Sequence, residues 1–330
     1  MKIIDVENHF YDQCVIDALK KRLAPPFYDA DKDVIRWTDD VEMPQGIMLP
    51  LLLDVAGKRK EILEKNGITS AVLSCSAGPE QLEVKESIKV CKKTNAALYE
   101  ITRQFPGFYL GSAILPVGDV QAACEEMERC VKEYHFVAWH THSNYGEHKV
   151  YEEQYHLLFK KANELGIYIY LHPHVPFTPE LSEYGFNFAA GLGFTVDMLI
   201  TTVNLILSGI FDEYPGLKMV LGHLGEAFPF LLERIDNRMF FFQNPRIKAK
   251  HKLRYYFKNN IIVSTSGNMS KEAFECTRSV LGIKNICFSS DFPYESVDEM
   301  MNFMNSLALT EEEKDQIFYK TAVHKLHISD

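Results

Sequence analysis

Two short stretches set potential ligands or proton carriers two residues apart. In DVENHF (5–10) these are Glu7 and His9, and in FVAWHTHSNYG (136–146) they are His140 and His142. Residues i and i+2 of an extended strand face the same side, so each pair can reach one object. Further along, His172 closes IYIYLH, His223 closes LKMVLGH with Glu226 three positions on, and Asp291 closes NICFSSD. Imidazoles and carboxylates are ordinary ligands for zinc, and an oxygen-richer set also suits manganese or iron. Taken singly, each residue has a structural reading, because a strand-end His more often hydrogen-bonds and an Asp after a strand often caps a loop or helix. Their conjunction at the ends of successive apolar runs is what points to a bound divalent ion.

The elements that must position them read as β-rich apolar runs at 2–6, 68–74, 108–116, 136–141, 167–172, 217–223, 260–266 and 285–291. Amphipathic segments lie between. In PVGDVQAACEEMERCVKEY (116–134), Val120, Ala123, Met127, Cys130 and Tyr134 recur near the helical period, with Asp119 as N-cap. Thr310 followed by Glu313 predicts a capping box at the start of the last helix. Strand and helix alternating in this way predict an α/β fold, most simply a (β/α)8 barrel in one domain over residues 1–330. All the strand-end residues above would then share one rim. A doubly wound open sheet is the rival, but no GxGxxG follows a strand and no GxxxxGK followed by Ser or Thr occurs. Residues 23–50 and the proline- and glycine-rich 173–195 fit neither pattern and are expected to be insertions covering the site.

Composition removes several function classes. The chain has 330 residues, 46% hydrophobic, with 45 Asp and Glu against 35 Lys and Arg, so no basic face for nucleic acid is implied. The cysteines, Cys14, Cys75, Cys91, Cys124, Cys130, Cys276 and Cys287, are odd in number and lack CxxC spacing, which predicts reduced, buried thiols in a cytoplasmic protein. The charged start, with Lys2, Asp5 and Glu7, lacks the apolar stretch of a signal peptide. No uninterrupted apolar run reaches the roughly 20 residues of a membrane span, so no membrane partner is expected.

Several segments together resemble one family. SGIFDEYPGLKMVLGHLGEAFPFLLERIDNR (208–238), SSDFPYE (289–295), YFKNNIIVSTSGN (256–268), IYIYLHP (167–173) and LLDVAGKRKEILEKNGI (52–68) are similar to the amidohydrolase-superfamily branch containing aminocarboxymuconate semialdehyde decarboxylase and the hydroxybenzoate decarboxylases. The resemblance implies one divalent metal ion, manganese or zinc, held by Glu7, His9, His172 and Asp291. It makes His223, with Glu226 behind it, catalytic or substrate-orienting. Much of the superfamily has His-x-His after strand one, whereas this chain has Glu-x-His, the form that γ-resorcylate-type decarboxylases resemble. The added anionic oxygen makes the site harder and better suited to manganese. Two-metal members bridge their ions through a modified lysine at the end of strand four, and this chain has no lysine there before Lys149. A single metal is therefore expected, with His140 and His142 as substrate contacts or rim hydrogen-bonders rather than a second metal site.

The implied reaction is non-oxidative decarboxylation of a hydroxylated aromatic or unsaturated acid. Direct loss of carbon dioxide would leave an unstabilised aryl anion, so protonation of the ring carbon by Asp291 is expected first. Arg59, Arg234 and Arg238 are candidate anion partners, although Glu233 and Asp236 explain the latter two equally well as a surface ion-pair lattice. Phe292 and Tyr294 are candidates for an aromatic wall, and Cys75 reads as a buried small residue. The competing readings are hydrolysis of a lactone or amide with Asp291 as base, a hydratase or other lyase, and a non-enzymatic metal-binding scaffold. The branch also implies a homodimer or higher homo-oligomer.

Overall fold

The central feature is a curled sheet of eight parallel strands, each hydrogen-bonded to the next in chain order. In the computed structural model, which describes residues 1–175 and 179–328, these are β1 Ile4–Phe10, β2 Ser70–Cys75, β3 Tyr109–Ala113, β4 Ala138–His142, β5 Tyr168–His172, β6 Met219–Leu221, β7 Ile261–Ser264 and β8 Ile286–Cys287. Backbone bonds also link the first strand to the chain after the last: Val6 N–H donates to Phe288 O at 3.2 Å and His9 N–H to Phe292 O at 2.7 Å. All eight expected runs are present. Their ends differ: β1 extends through Glu7 and His9, whereas β6, β7 and β8 stop before His223, Ser266 and Asp291.

The strands are covered on both faces, which is why they read as nearly continuous apolar runs. One face packs against helices, with Leu73, Trp139, Ile169, Leu171 and Val263 in a large outer core. The other carries Ile4, Val6, Val72, Ala138, Tyr168, Tyr170, Val220 and Ile262, joined by Leu326 and Ile328 near the chain's end. Burying each large aliphatic side chain contributes about 1.5–3 kcal/mol before entropy is counted. The helix Val120–Lys132 has Asp119 as N-cap, accepting from Ala122 N–H at 3.0 Å, and Thr310 with Glu313 forms the expected capping box.

A β-bulge in β1 was invisible in the sequence. The register against β2 shifts between Asp5 and Asn8. Ile4 and Val6 therefore face the inner core, yet Glu7 and His9 turn inward as well. The extra residue re-aims the strand so that a polar pair follows an apolar pair on the same face.

Residues 23–50 contain a small antiparallel sheet, Phe27–Asp29, Val34–Arg36 and Glu42–Pro44. Beyond β5, the helical segment Phe186–Leu207 contains a wide turn at Ala189–Gly193. This 22-residue stretch has no unbroken apolar run of that length, yet its most apolar part reaches mean hydropathy 1.6, enough by length and composition alone to cross a membrane. The expectation rested on unbroken apolar runs, but Thr and Gly lower the average so little that a broken run still qualifies. Within it Asp197 is buried, 4.0 Å from Lys149, while Met198, Leu205 and Ile206 pack into the fold. Among the described residues all seven cysteines are free, and five are buried.

Candidate active site

At the C-terminal ends of the strands, Glu7, His9, His172 and Asp291 each bring one donor atom to within 4.8 Å of the others. His9 Nε2 is 3.3 Å from Glu7 Oε1 and 3.0 Å from Asp291 Oδ1, and His172 Nε2 is 3.8 Å from Glu7 Oε1. Each donor has a reason for its orientation. Tyr170 and Ser289 donate their hydroxyls to Glu7 Oε2, the latter at 2.9 Å, which leaves Oε1 turned toward the imidazoles. His172 donates Nδ1–H to Pro173 O at 2.6 Å, so its Nε2 carries the lone pair. Asp5 accepts from Ser290 N–H at 3.0 Å and from the Ser290 hydroxyl at 2.5 Å, tying the loop that bears Asp291 to β1.

Electrostatics agree with a cation site. Burial opposes charge on His9, but hydrogen bonds with Asp291 and Glu7 outweigh it and raise its pKa to about 9. Burial would also raise Asp291, yet His223 and His9 hold its carboxyl below the usual range. Burial keeps His172 neutral, its pKa well below the usual value, as a ligand must be. Asp291 Oδ1 is buried without an aligned hydrogen-bond partner. Two carboxylates and two imidazoles, converging on a buried point with one oxygen unsatisfied, fit a divalent ion of manganese or zinc type.

Beside this set stands a carboxylate–imidazole pair. His223 donates Nδ1–H to Glu226 Oε1 at 2.5 Å, and Thr195 donates to Glu226 Oε2 at 2.6 Å. His223 Nε2 lies 3.9 Å from Asp291 Oδ2. Although burial opposes it, Glu226 and Asp291 raise the His223 pKa well above the ordinary value, so the imidazole carries a proton. His223, Leu224, Glu226 and Asp291 all sit at positive φ, between 53° and 60°. For non-glycine residues this strain costs on the order of 1 kcal/mol each, and it is tolerated where it aims functional groups.

His9, His172, His223, Glu226 and Asp291 line a cavity of about 410 Å³. Trp37, Met43 and Met48 come from residues 23–50, and Phe186, Phe194 and Thr195 come from the stretch after β5. Tyr294 lines the cavity too, its hydroxyl donating to Ser76 Oγ at 2.9 Å. The aromatic walls and volume suit a single substituted ring.

Other expected contacts lie elsewhere. Arg59 is fully buried and donates to His9 O at 2.6 Å and Leu51 O at 2.9 Å, its guanidinium 5.0 Å from the Phe292 ring centroid. It fixes backbone rather than facing the cavity, and Phe292 packs beside it in the core. Arg234 and Arg238 line a separate apolar groove with Val203 and Leu231. His140 is buried beneath the donor set with both ring nitrogens unpartnered and does not border the cavity, whereas His142 does. Burial raises the Cys75 pKa well above the ordinary value, which makes it an inert thiol. Sequence reasoning missed Tyr170, Ser289 and Thr195, since a Tyr inside an apolar run, a serine in a loop and a threonine at the start of a helix carry no positional signal.

Comparison with known proteins identifies the family. Residues 4–326 match the amidohydrolase family model. The chain is 30% identical over 278 residues to the gamma-resorcylate decarboxylase of Rhizobium sp. strain MTP-10005, an alignment covering 81% of this chain and 85% of that one. Among solved structures, a dihydroxybenzoic acid decarboxylase from Polaromonas sp. JS666, with bound manganese and the inhibitor 2-nitroresorcinol, superposes with TM-score 0.83 at 27% identity, covering 99% and 97% of the two chains. The 5-carboxyvanillate decarboxylase of Sphingomonas paucimobilis superposes with TM-score 0.87 at 26% identity, covering 99% of each. Matched along almost its whole length, the chain belongs to the amidohydrolase family, in its decarboxylase branch.

Proposed function

We propose that this chain is a metal-dependent, non-oxidative decarboxylase of a hydroxylated aromatic carboxylic acid, working as a single (β/α)8 barrel domain with residues 23–50 and the described part of 173–195, which leaves out 176–178, covering its rim. Glu7, His9, His172 and Asp291 would hold one divalent ion, manganese or zinc. When bound, the ion supplies positive charge to anchor the substrate's carboxylate and neighbouring phenol oxygen. The observation that carries the reading is the divided role of Asp291, whose Oδ1 lies 3.0 Å from His9 in the donor set while Oδ2 lies 3.9 Å from His223 beside the cavity.

Asp291 starts as a carboxylate, so the proton it delivers has to be acquired. We assign the substrate's phenol hydroxyl as its source. Asp291 takes that proton, and the electron density left on the phenolate makes the carbon bearing the carboxylate basic. Asp291 then returns the proton to that carbon, which interrupts the aromatic ring. The bond to the carboxylate breaks, its electron pair restores the ring, and carbon dioxide leaves. The remaining phenolate takes a proton from solvent, so the reaction consumes one proton overall. His223, kept cationic and oriented by Glu226, stabilises negative charge on the substrate's oxygens as it moves.

The test is carbon dioxide release by manganese-loaded protein from a panel of hydroxybenzoates, with lactones assayed in parallel. Release from at least one aromatic acid, lost in Asp291→Asn, is expected. Turnover of lactones with none of the acids would replace this reading with hydrolysis.

A further inference from the structure

Among the described residues no lysine or arginine borders the cavity, although the proposed substrate is an acid. The chemistry favours such a wall. Negative charge leaves the carboxylate as its bond to the ring breaks, so a cation fixed on that group would hold the reactant more tightly than the transition state and slow the step. With one carboxylate oxygen and the phenol oxygen turned to the metal, the second carboxylate oxygen is left to the protein. A neutral donor is the partner that suits it.

Most donors in the wall are taken. The Tyr11 hydroxyl donates to Ala77 O at 2.7 Å, Tyr294 donates to Ser76 and Thr195 to Glu226. His142, which faces Glu80 through Nδ1, and His174 lie together where Trp37 packs. Beside Asp291 the donor is Asn268, half-buried in the loop after β7 and bordering the cavity. A Cβ on the preceding Gly267 would stand 2.9 Å from His223 Nε2 and 3.7 Å from Asp291 Oδ2, so the chain reaches Asn268 directly past the two proton-carrying groups. The Ser270 N–H donates to Asn268 Oδ1 at 3.2 Å, closing an Asx turn before the helix Lys271–Leu281. A backbone N–H can only donate, so the atom it meets is the amide oxygen. The NH2 is therefore the end left for a ligand, and it has no protein partner among the described residues.

We propose that the Asn268 amide donates to the substrate's departing carboxylate and orients it without holding its charge. This rests on the decarboxylase reading for the nature of the ligand only. The charge released then moves to the phenol oxygen, where the His223 cation stabilises it.

The test uses manganese-loaded protein and two matched ligands: the tightest-binding member of a hydroxybenzoate panel, and the nitrophenol that carries a neutral nitro group in place of its carboxylate. Asn268→Ser keeps an oxygen for the Ser270 N–H but is too short to replace the NH2. It should weaken the acid about tenfold or more, the scale of a hydrogen bond to a charged group, and leave the nitrophenol within about threefold. Asn268→Lys should bind the acid at least as tightly as wild type while kcat falls about tenfold or more, because the added cation keeps charge on the carboxylate. Unchanged acid affinity in Asn268→Ser, equal losses for the two ligands, or a wild-type kcat in Asn268→Lys overturns the assignment. So does a wild type that binds no member of the panel. If the acids bind and none is decarboxylated, the reaction reading fails alone and the binding series still decides the role of Asn268.

Discussion

The Tyr170 hydroxyl donates to Oε2 of Glu7, and the other oxygen of that carboxylate is left facing His9 and His172. Burial and the adjacent Glu7 raise the Tyr170 pKa well above the ordinary value, so it stays a neutral donor. Tyr170→Phe removes the hydroxyl with little change of shape. Partners that orient a metal ligand are typically worth about 10–100-fold in metal affinity, and a loss of that size is expected. Competition with a chelator measures it. Unchanged affinity would mean that Ser289 alone orients Glu7.

His223 leaves no room at Gly267. A Cβ on Gly267 would stand 2.4 Å from His223 Cδ2, and the residue's φ of +62° already favours glycine. Gly267→Ala should displace the imidazole from Asp291 and lower kcat by about 100-fold, the scale expected for a misplacement near 1 Å. Metal content should stay at the wild-type level, because His223 is outside the donor set. A variant that kept full kcat would remove His223 from the reaction.

The metal-free protein should show a pH dependence that the loaded protein lacks. His9 titrates at about 9 in the fold, against about 6.5 unfolded, because Asp291 and Glu7 outweigh burial. A raised folded pKa contributes stability that is fully present below about pH 6.5 and lost as pH rises through about 9. The span corresponds to roughly 3 kcal/mol, so the melting temperature of chelator-treated protein should fall between pH 6.5 and 9.5. Protons and metal compete for His9, and metal affinity should therefore rise about tenfold per pH unit across that window. A flat melting profile in the stripped protein contradicts the assignment.

The sequence disclosed these residues unevenly, and the reasons are physical. His172, His223 and Asp291 stood out because each ends an apolar run, where a polar side chain breaks a pattern. Glu7 and His9 stood out through their spacing, but their alignment with Ile4 and Val6 on the inner face depends on a bulge set by pairing with β2. The expected strands run past their observed ends because short hydroxyl residues such as Ser266 and Ser290 follow the apolar run with no local signal that pairing has stopped. Glu80 reads as an ordinary loop acid, and only the fold carries it 62 positions along the chain to His142. Arg59 meets a similar limit: composition marks a cation, but not whether carbonyls or a ligand will receive it.

Arg59 supplies the last test, because its two readings predict different losses. Its guanidinium joins the backbone of His9, at 2.6 Å, to that of Leu51, at 2.9 Å, and burial lowers its pKa to about 10, which still leaves it charged. Arg59→Lys keeps the charge but cannot span both carbonyls, because an ammonium lacks the planar fork. Leaving buried carbonyls short of partners costs about 1–3 kcal/mol, so a lower melting temperature and, through His9, weaker metal binding are expected. KM for the aromatic acid in metal-saturated protein should be unchanged. A raised KM with unaltered melting would return Arg59 to the substrate and sink the structural assignment.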